Sequence, residues 1–419
     1  MKISRTPVSR AHTLTPLALL LTVAAAHPTA SAQASDPNPY YIGVSQSFTR
    51  DSNVGRTGGS ATSSSDTISS TGLNAGLNQP FGRQRLRVDA SVSSNRYATN
   101  SNQNNTGYGL NAVLELSTIE RLSGSLRYSN NQGLANFYSL LTPSLSNRNV
   151  QKTEEFAASA LLGGVTVLSF TADLSHRALT NSAAVYQAQE YSQNAGSVGA
   201  RYRFSGALDA GVALRMTRGS YPNYPTLGGG TQTDDVNRRD VDLTSNWTPT
   251  GLTTVNGRLS LTRQTHSVAT GRDFSGATGS LSVQYKPAGR LSYSASLSRD
   301  TGTENSFTNM LNSNGGVISV PSDSSQISTL FSLRANYDVT AKIQANASAR
   351  VQTLQVGTSG LGSNGTDTVN GFGLGLTYNP LRNLAIAASV GTERRTTTSA
   401  LSSDYRSNTV GVSARYTLQ

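Results

Sequence analysis

Arg85–Ser93 reads RLRVDASVS, and its alternation decides the fold. Leu86, Val88, Ala90 and Val92 share one parity. Arg85, Arg87, Asp89, Ser91 and Ser93 share the other. Successive side chains of a β-strand point to opposite faces, so this segment is a strand with one apolar and one polar face. A helix would place its apolar residues three and four apart, and this segment does not. The next stretch repeats the pattern, with Tyr108, Leu110, Ala112, Leu114 and Leu116 set against Gly109, Asn111 and Glu115.

The same alternation returns along the chain, from Leu281, Val283 and Tyr285 to the final Val410, Val412, Ala414, Tyr416 and Leu418. Tight turns recur near residues 81, 119, 163, 205, 249, 287, 339 and 380, several carrying Pro or Gly, as in Gln79-Pro80-Phe81-Gly82 and Lys286-Pro287-Ala288-Gly289. Between them lie longer polar connections. A period of about 40 residues, made of two strands, one short turn and one long loop, is the signature of an outer-membrane barrel. The chain therefore reads as all-β: a transmembrane up-and-down antiparallel β-barrel of about 18 strands. Short turns lie on the periplasmic side of such barrels, which puts both termini in the periplasm. Phe204, Trp247, Tyr285, Tyr337 and Tyr378 stand on the apolar parity just before short turns, where a girdle of rings at the headgroup level belongs.

Composition agrees. In 419 residues only 14% are charged, and there is no Cys. Polar but weakly charged sequence suits a wet lumen, and without Cys there is neither a thiol nucleophile nor a thiolate metal site. Residues 1–32 read as a cleaved secretory signal. Lys2, Arg5 and Arg10 precede the apolar run Leu17–Ala26, and Ala30-Ser31-Ala32 offers the cleavage site. That run is well short of the roughly 20 residues a spanning helix needs. Residues 33–39 then form a short periplasmic segment and 40–419 the barrel. Removing three basic residues and no acid lowers the net charge from +11 to +8. The basic residues are not clustered in runs and the chain is exported, so nucleic acid is not the expected partner.

Catalytic chemistry has little to stand on. After signal removal only His176 and His266 remain, both expected at or beyond the outer ends of strands as solvated residues. No ordered set of oxygen ligands suggests calcium, and the run Gly371-x-Gly373-x-Gly375 alternates within a strand instead of opening a helix. The expectation is a non-enzyme without cofactor or metal.

The informative constellation is the polar parity. It points inward Arg85, Arg87, Arg127, Arg201, Arg203 and Arg215, and further along Arg258, Arg334, Arg350 and Arg415. Inward acids are fewer. Unpaired lumenal Arg concentrates anions. Arg paired with acids braces the wall and selects little. Both readings stay open. Tyr221 and Tyr224 in an outer loop are candidate sugar contacts or ordinary loop packing. The apolar stretch Leu134–Leu145 suggests either a constriction at the mouth or an extension of the strands.

The phrases Ser65–Tyr128, Tyr41–Val54 (YIGVSQSFTRDSNV) and Arg148–Glu155 (RNVQKTEE) resemble the exopolysaccharide-associated outer-membrane proteins of the EpsL type, grouped with the β-barrel porins of the second type. That resemblance implies a bacterial outer-membrane pore that passively exports exopolysaccharide made by a biosynthetic system. With that export, the inward arginines would guide an acidic saccharide polymer, and because residues 33–39 are too short for a periplasmic domain, a separate periplasmic export or co-polymerase protein is expected to deliver it. Outer-membrane lipid and lipopolysaccharide would surround the barrel. The alternatives are a general or solute-specific uptake porin and, more weakly, an outer-membrane hydrolase.

Overall fold

The computed structural model describes residues 39–418 apart from 59–62, 119–120, 136–147, 226–229, 288, 302–307, 312–316, 321–326, 357–364 and 399–402. The signal segment and most of Leu134–Leu145 lie outside the described residues. The first nine strands are β1 (Tyr40–Asp51), β2 (Asp66–Phe81), β3 (Gln84–Tyr97), β4 (Asn105–Ser117), β5 (Leu122–Leu134), β6 (Val150–Leu162), β7 (Leu168–Asn181), β8 (Tyr191–Arg203) and β9 (Leu208–Pro225). Then come β10 (Thr231–Thr250), β11 (Thr253–His266), β12 (Phe274–Tyr285) and β13 (Leu291–Asp300). A small separate hairpin, β14 (Thr308–Leu311) with β15 (Val317–Val320), precedes β16 (Ile327–Asp338), β17 (Ile343–Val356), β18 (Gly365–Leu381), β19 (Leu384–Thr397) and β20 (Tyr405–Leu418).

Eighteen of these strands form one antiparallel sheet in chain order, with β13 passing directly to β16. The sheet closes on itself because β1 pairs with β2 on one side and β20 on the other, Ile42 opposite Leu418 and Asp51 opposite Thr409. Closure removes every sheet edge, so each strand's backbone groups are satisfied within the barrel, as a bilayer requires. Among the described residues no helix is long and apolar enough to cross a membrane; the crossing is by strands.

Burial is inverted relative to a soluble domain. Large apolar side chains cover the outside: on β9 alone, Val212, Leu214 and Met216 are all more than half exposed. Apolar surface this extensive, far beyond the few hundred Å² a soluble monomer tolerates, is what lipid covers. The outward residues Leu208, Ala210, Val212, Leu214 and Met216 span nine positions, the length a tilted strand needs to cross the hydrocarbon. The expected girdle stands at one end, with Phe204, Trp247, Tyr285, Tyr337 and Tyr378 all exposed outward and Tyr202 packed edge-on against Phe204.

One end of the barrel is trimmed by eight short turns and the other carries nine longer connections. The first residue of β1 and the last of β20 lie at the short-turn end. Gly82 in the β2–β3 turn has φ +62° at the first central position of a two-residue loop, which matches the right-handed twist of the strands it joins. Gly163 (φ +80°) does similar work between β6 and β7, where Thr166 Oγ1 donates to the Gly163 carbonyl at 2.8 Å.

Candidate functional site in the barrel lumen

The lumen is lined by the polar parity of every strand, and register decides which polar groups meet. Tyr41 on β1 lies across Gly76 on β2 and donates to Asp89 on β3 at 2.6 Å. A Cβ at Gly76 would sit 2.1 Å from the Tyr41 ring. Gly371 serves the same end: Arg350 on β17 crosses it to reach Glu393 on β19, and a Cβ there would meet Arg350 Nε at 2.7 Å. The alternating glycines of β18 thus leave room for long side chains to lie along the wall.

Near the long-loop end the lumen holds two ionic clusters, one on β1, β17, β19 and β20 and one on β10–β13. In the first, the segment after β1 turns inward and Arg56 bonds Asp51 at 2.7 Å and Glu393 at 3.1 Å. Arg350 and the Tyr405 hydroxyl (2.7 Å) complete the shell of Glu393. Arg56 takes φ +51°, a left-handed conformation rare for a side-chain-bearing residue. Asn53 holds the segment down by donating to the Thr57 and Arg406 carbonyls.

The second cluster is built on β10–β13. Arg238 is 1% exposed and donates to both carboxylate oxygens of Asp240 from Nε at 3.0 Å. Its other nitrogens reach Asp300 (2.7 Å), Thr301 (2.8 Å), Thr262 and Thr278. The ladder continues to Arg215, 3.2 Å from Asp242, and Arg258, 3.8 Å from Asp300. Three arginines and three aspartates neutralise one another, and every charge in this chain of groups has a partner. Above it, His266 Nδ1 lies 2.7 Å from Asp234 and its Nε2 2.8 Å from Gln264 Nε2. With Nε2 accepting from the Gln264 amide, Nδ1 carries the proton to Asp234. Asp234 also accepts the amides of Val268 and Ala269, which ties down the β11–β12 connection.

All ten arginines expected inward sit on the lumenal parity, but their surroundings divide them. Arg87 pairs with Glu115, Arg201 with Asp209, Arg215 with Asp240 and Asp242, Arg258 with Asp300, and Arg350 with Glu393. Among the described residues, Arg85, Arg127, Arg203, Arg334 and Arg415 have no carboxylate within 4 Å. Arg85 donates to Asn78, Arg203 to the Gly164 carbonyl and Arg415 to Thr417. Three of these five, Arg85, Arg203 and Arg415, stand toward the short-turn end. Asp89, Glu155, Asp173 and Asp338 are inward acids likewise without an ion pair, so the lumen is mixed in charge with a small cationic excess in this set.

Three expectations need correction. Tyr221 and Tyr224 are not in a loop: they belong to β9. Tyr221 is 4% exposed, packed on Tyr191 at a ring separation of 5.6 Å with Arg272 over its face, and offers no surface to a sugar. Tyr224 packs against the same cluster of Leu179, Tyr191, Tyr221 and Val236. β9 and β10 run further than the alternation suggested, lifting these tyrosines into a sheet extension above the membrane. His266 is buried and bonded, not solvated. His176 faces outward on β7 beside Asn194, 2.9 Å away, and has no access to the lumen. The residues the sequence reading passed over are Arg56 and Arg238. Arg238 shares the parity of Asp240 and Asp242, so alternation within β10 was a usable signal. Nothing local marks Arg56.

No family model matches this chain, and no curated protein matches it. Solved structures do. The chain is similar to Pseudomonas aeruginosa OccK1 (OpdK), with 14% identity over 90% of this chain and 98% of that one and a TM-score of 0.45. It is similar to P. aeruginosa OpdQ (12%, 90% and 97%, TM-score 0.45) and to P. aeruginosa OccK5 (OpdH; 14%, 91% and 98%, TM-score 0.44). The likeness is one of architecture, and no solute comes with it. An apolar exterior, a closed sheet and a polar interior lead to one conclusion: the chain is a transmembrane β-barrel of a bacterial outer membrane.

Proposed function

We propose that the barrel is a passive channel for small polar solutes, with a modest preference for anions. The observation that carries this is the set of inward arginines without carboxylate partners, Arg85, Arg127, Arg203, Arg334 and Arg415. A fixed cation in a narrow aqueous path raises the local anion concentration, and a planar guanidinium pairs with carboxylate or phosphate in two bonds. Small solutes fit better than a sugar polymer on a second ground. Sugar slides use rows of exposed rings, whereas of the inward rings Tyr191, Tyr221 and Tyr405 are each no more than 5% exposed and Tyr41, Tyr97 and Phe274 are half-buried, Tyr41 being held by Asp89. The histidines supply no hydrolytic site on this reading. Both ring nitrogens of His266 are engaged, and His176 points to the outside.

The experiment is a reversal potential across a planar bilayer under a salt gradient. The expected result is steady conductance with a potential of anion-preferring sign. A closed or cation-preferring channel would remove the proposal.

Exopolysaccharide export is the second reading, supported by the phrases of Ser65–Tyr128. It needs a periplasmic partner to deliver the polymer. Polymer trapped in the periplasm of a deletion strain would favour it, and normal secretion would favour the small-solute channel. By the rule that short turns face the periplasm, both readings put the termini there.

A further inference from the structure

The outer face of the barrel carries arginine where the apolar band ends on the long-loop side. On β9–β13 these are Arg218, Arg239, Arg263 and Arg299, all exposed and all on the outward parity. On β19, β20, β1 and β3 they are Arg394, Arg406, Arg50 and Arg96, again exposed and outward. The two arcs lie on opposite sides of the eighteen-strand ring. Among the described residues none of the eight has a carboxylate within 4 Å. Asp235 is the one acid on the outward parity of these strands at this end. The intervening β6 has instead a self-compensated pair, Lys152 and Glu154 at 3.5 Å.

Register makes the arrangement costly without a counterion. Arg239 stands directly opposite Arg263, and Arg394 directly opposite Arg406. Like charges so placed repel across the strand pair. Five of the eight sit one outward step above an apolar residue: Arg50 above Phe48, Arg218 above Met216, Arg239 above Val241, Arg263 above Leu261 and Arg299 above Leu297. At that height the methylene stems lie against acyl chains and the guanidinium heads reach the headgroup layer.

We propose that the two arcs bind the phosphate groups of the phosphorylated glycolipid that forms the outer leaflet of the outer membrane, with each opposed arginine pair clamping one phosphate. The chemistry is charge-assisted forked hydrogen bonding, which suits Arg better than Lys. The outer leaflet is the source because the arcs lie on the long-loop side, which faces outward in bacterial barrels. The inference stands on the barrel's place in the membrane and does not depend on what the lumen conducts.

The test uses the full chain in lipid-free detergent, with native mass spectrometry and thermal unfolding as readouts. Three lipids are compared: lipid A with two phosphates, dephosphorylated lipid A, and phosphatidylglycerol. The expected result is that bisphosphorylated lipid A binds at least about tenfold tighter than the dephosphorylated form. It raises the unfolding temperature, and added salt weakens it. Substituting Arg239→Gln, Arg263→Gln, Arg394→Gln and Arg406→Gln together abolishes that preference while channel conductance is unchanged. If the fourfold variant does not fold, the two double variants each lose part of it. Equal binding of the two lipid A forms, or undiminished preference in the Gln variants, overturns the proposal. So does tighter binding of phosphatidylglycerol, or lipid-independent dimerisation through these arcs.

Discussion

The two ends of the lumen use the same side chain for opposite purposes. Toward the long loops, Arg238 is buried and Arg56 and Arg350 are half-buried among Asp51, Asp240, Asp300 and Glu393. Toward the short turns, Arg85, Arg203 and Arg415 touch only neutral oxygens. A buried ion pair adds little net stability, because desolvation offsets attraction, but breaking it strands a charge. An exposed Arg costs little to remove and acts chiefly through its field. Under the proposed channel, the long-loop half sets the shape of the opening and the short-turn half sets what is attracted to it.

The largest effect should follow Arg238→Ala. It leaves Asp240 and Asp300 buried with no full partner, which costs about 3–5 kcal/mol. The check is the urea midpoint of the folded chain in lipid. Replacing Arg238 and Asp240 together with Met and Leu should recover part of the loss, because Asp300 keeps Arg258 and Arg215 keeps Asp242. If Arg238→Ala alone unfolds no earlier than the native chain, the two ends do not differ as described.

Arg56→Ala comes next, at about 1–3 kcal/mol, the cost of leaving charged acceptors under-satisfied. Glu393 keeps Arg350 and Tyr405, so the loss is smaller than at Arg238. Hydrogen exchange should quicken at residues 52–58 and not at the short turns.

Acid should act on the same half, through the staple at the β11–β12 connection. Hydrogen bonds from His266 and from the Val268 and Ala269 amides hold the Asp234 carboxyl below its ordinary pKa, more than offsetting burial. Burial holds the His266 imidazole below its ordinary pKa despite Asp234. Both groups resist protonation when folded, so the unfolded chain binds more protons and stability falls with falling pH. The His266 contribution is complete above its unfolded pKa of about 6.5 and declines below it. The Asp234 contribution goes at lower pH, as its folded carboxyl protonates. Exchange at residues 267–273 should accelerate between pH 7 and 5, and Asp234→Asn should give fast exchange already at pH 7.

How much of this was readable in the chain follows from the length scale of each signal. Alternation within one strand, as in Arg85–Ser93, is local, and with it came the strand count, the turn positions and the inward parity of ten arginines. Pairing is not local. Arg350 meets Glu393 only because β17, β18 and β19 are in a particular register and residue 371 is Gly. Arg56 reaches Glu393 across 337 positions, through the seam that closes the barrel. Tyr221 was misplaced because Pro222 and Pro225 look like loop residues, while β9 in fact continues through them above the membrane.

The smallest effect on stability and the sharpest test of the contrast come from the other end. Arg85→Ala, Arg203→Ala and Arg415→Ala each remove a charge that no carboxylate holds. Each should change folding stability by less than about 0.5 kcal/mol, the range of surface substitutions. Combined, they should move the reversal potential toward cations, because Asp89 and Asp338 remain and the nearby positive field is gone. Arg215→Ala should also move it toward cations, but by releasing Asp242, and with a measurable loss of stability. A triple variant that keeps the native potential would show that the unpaired arginines at the short-turn end are spectators. The two halves of the lumen would then differ in packing and not in purpose.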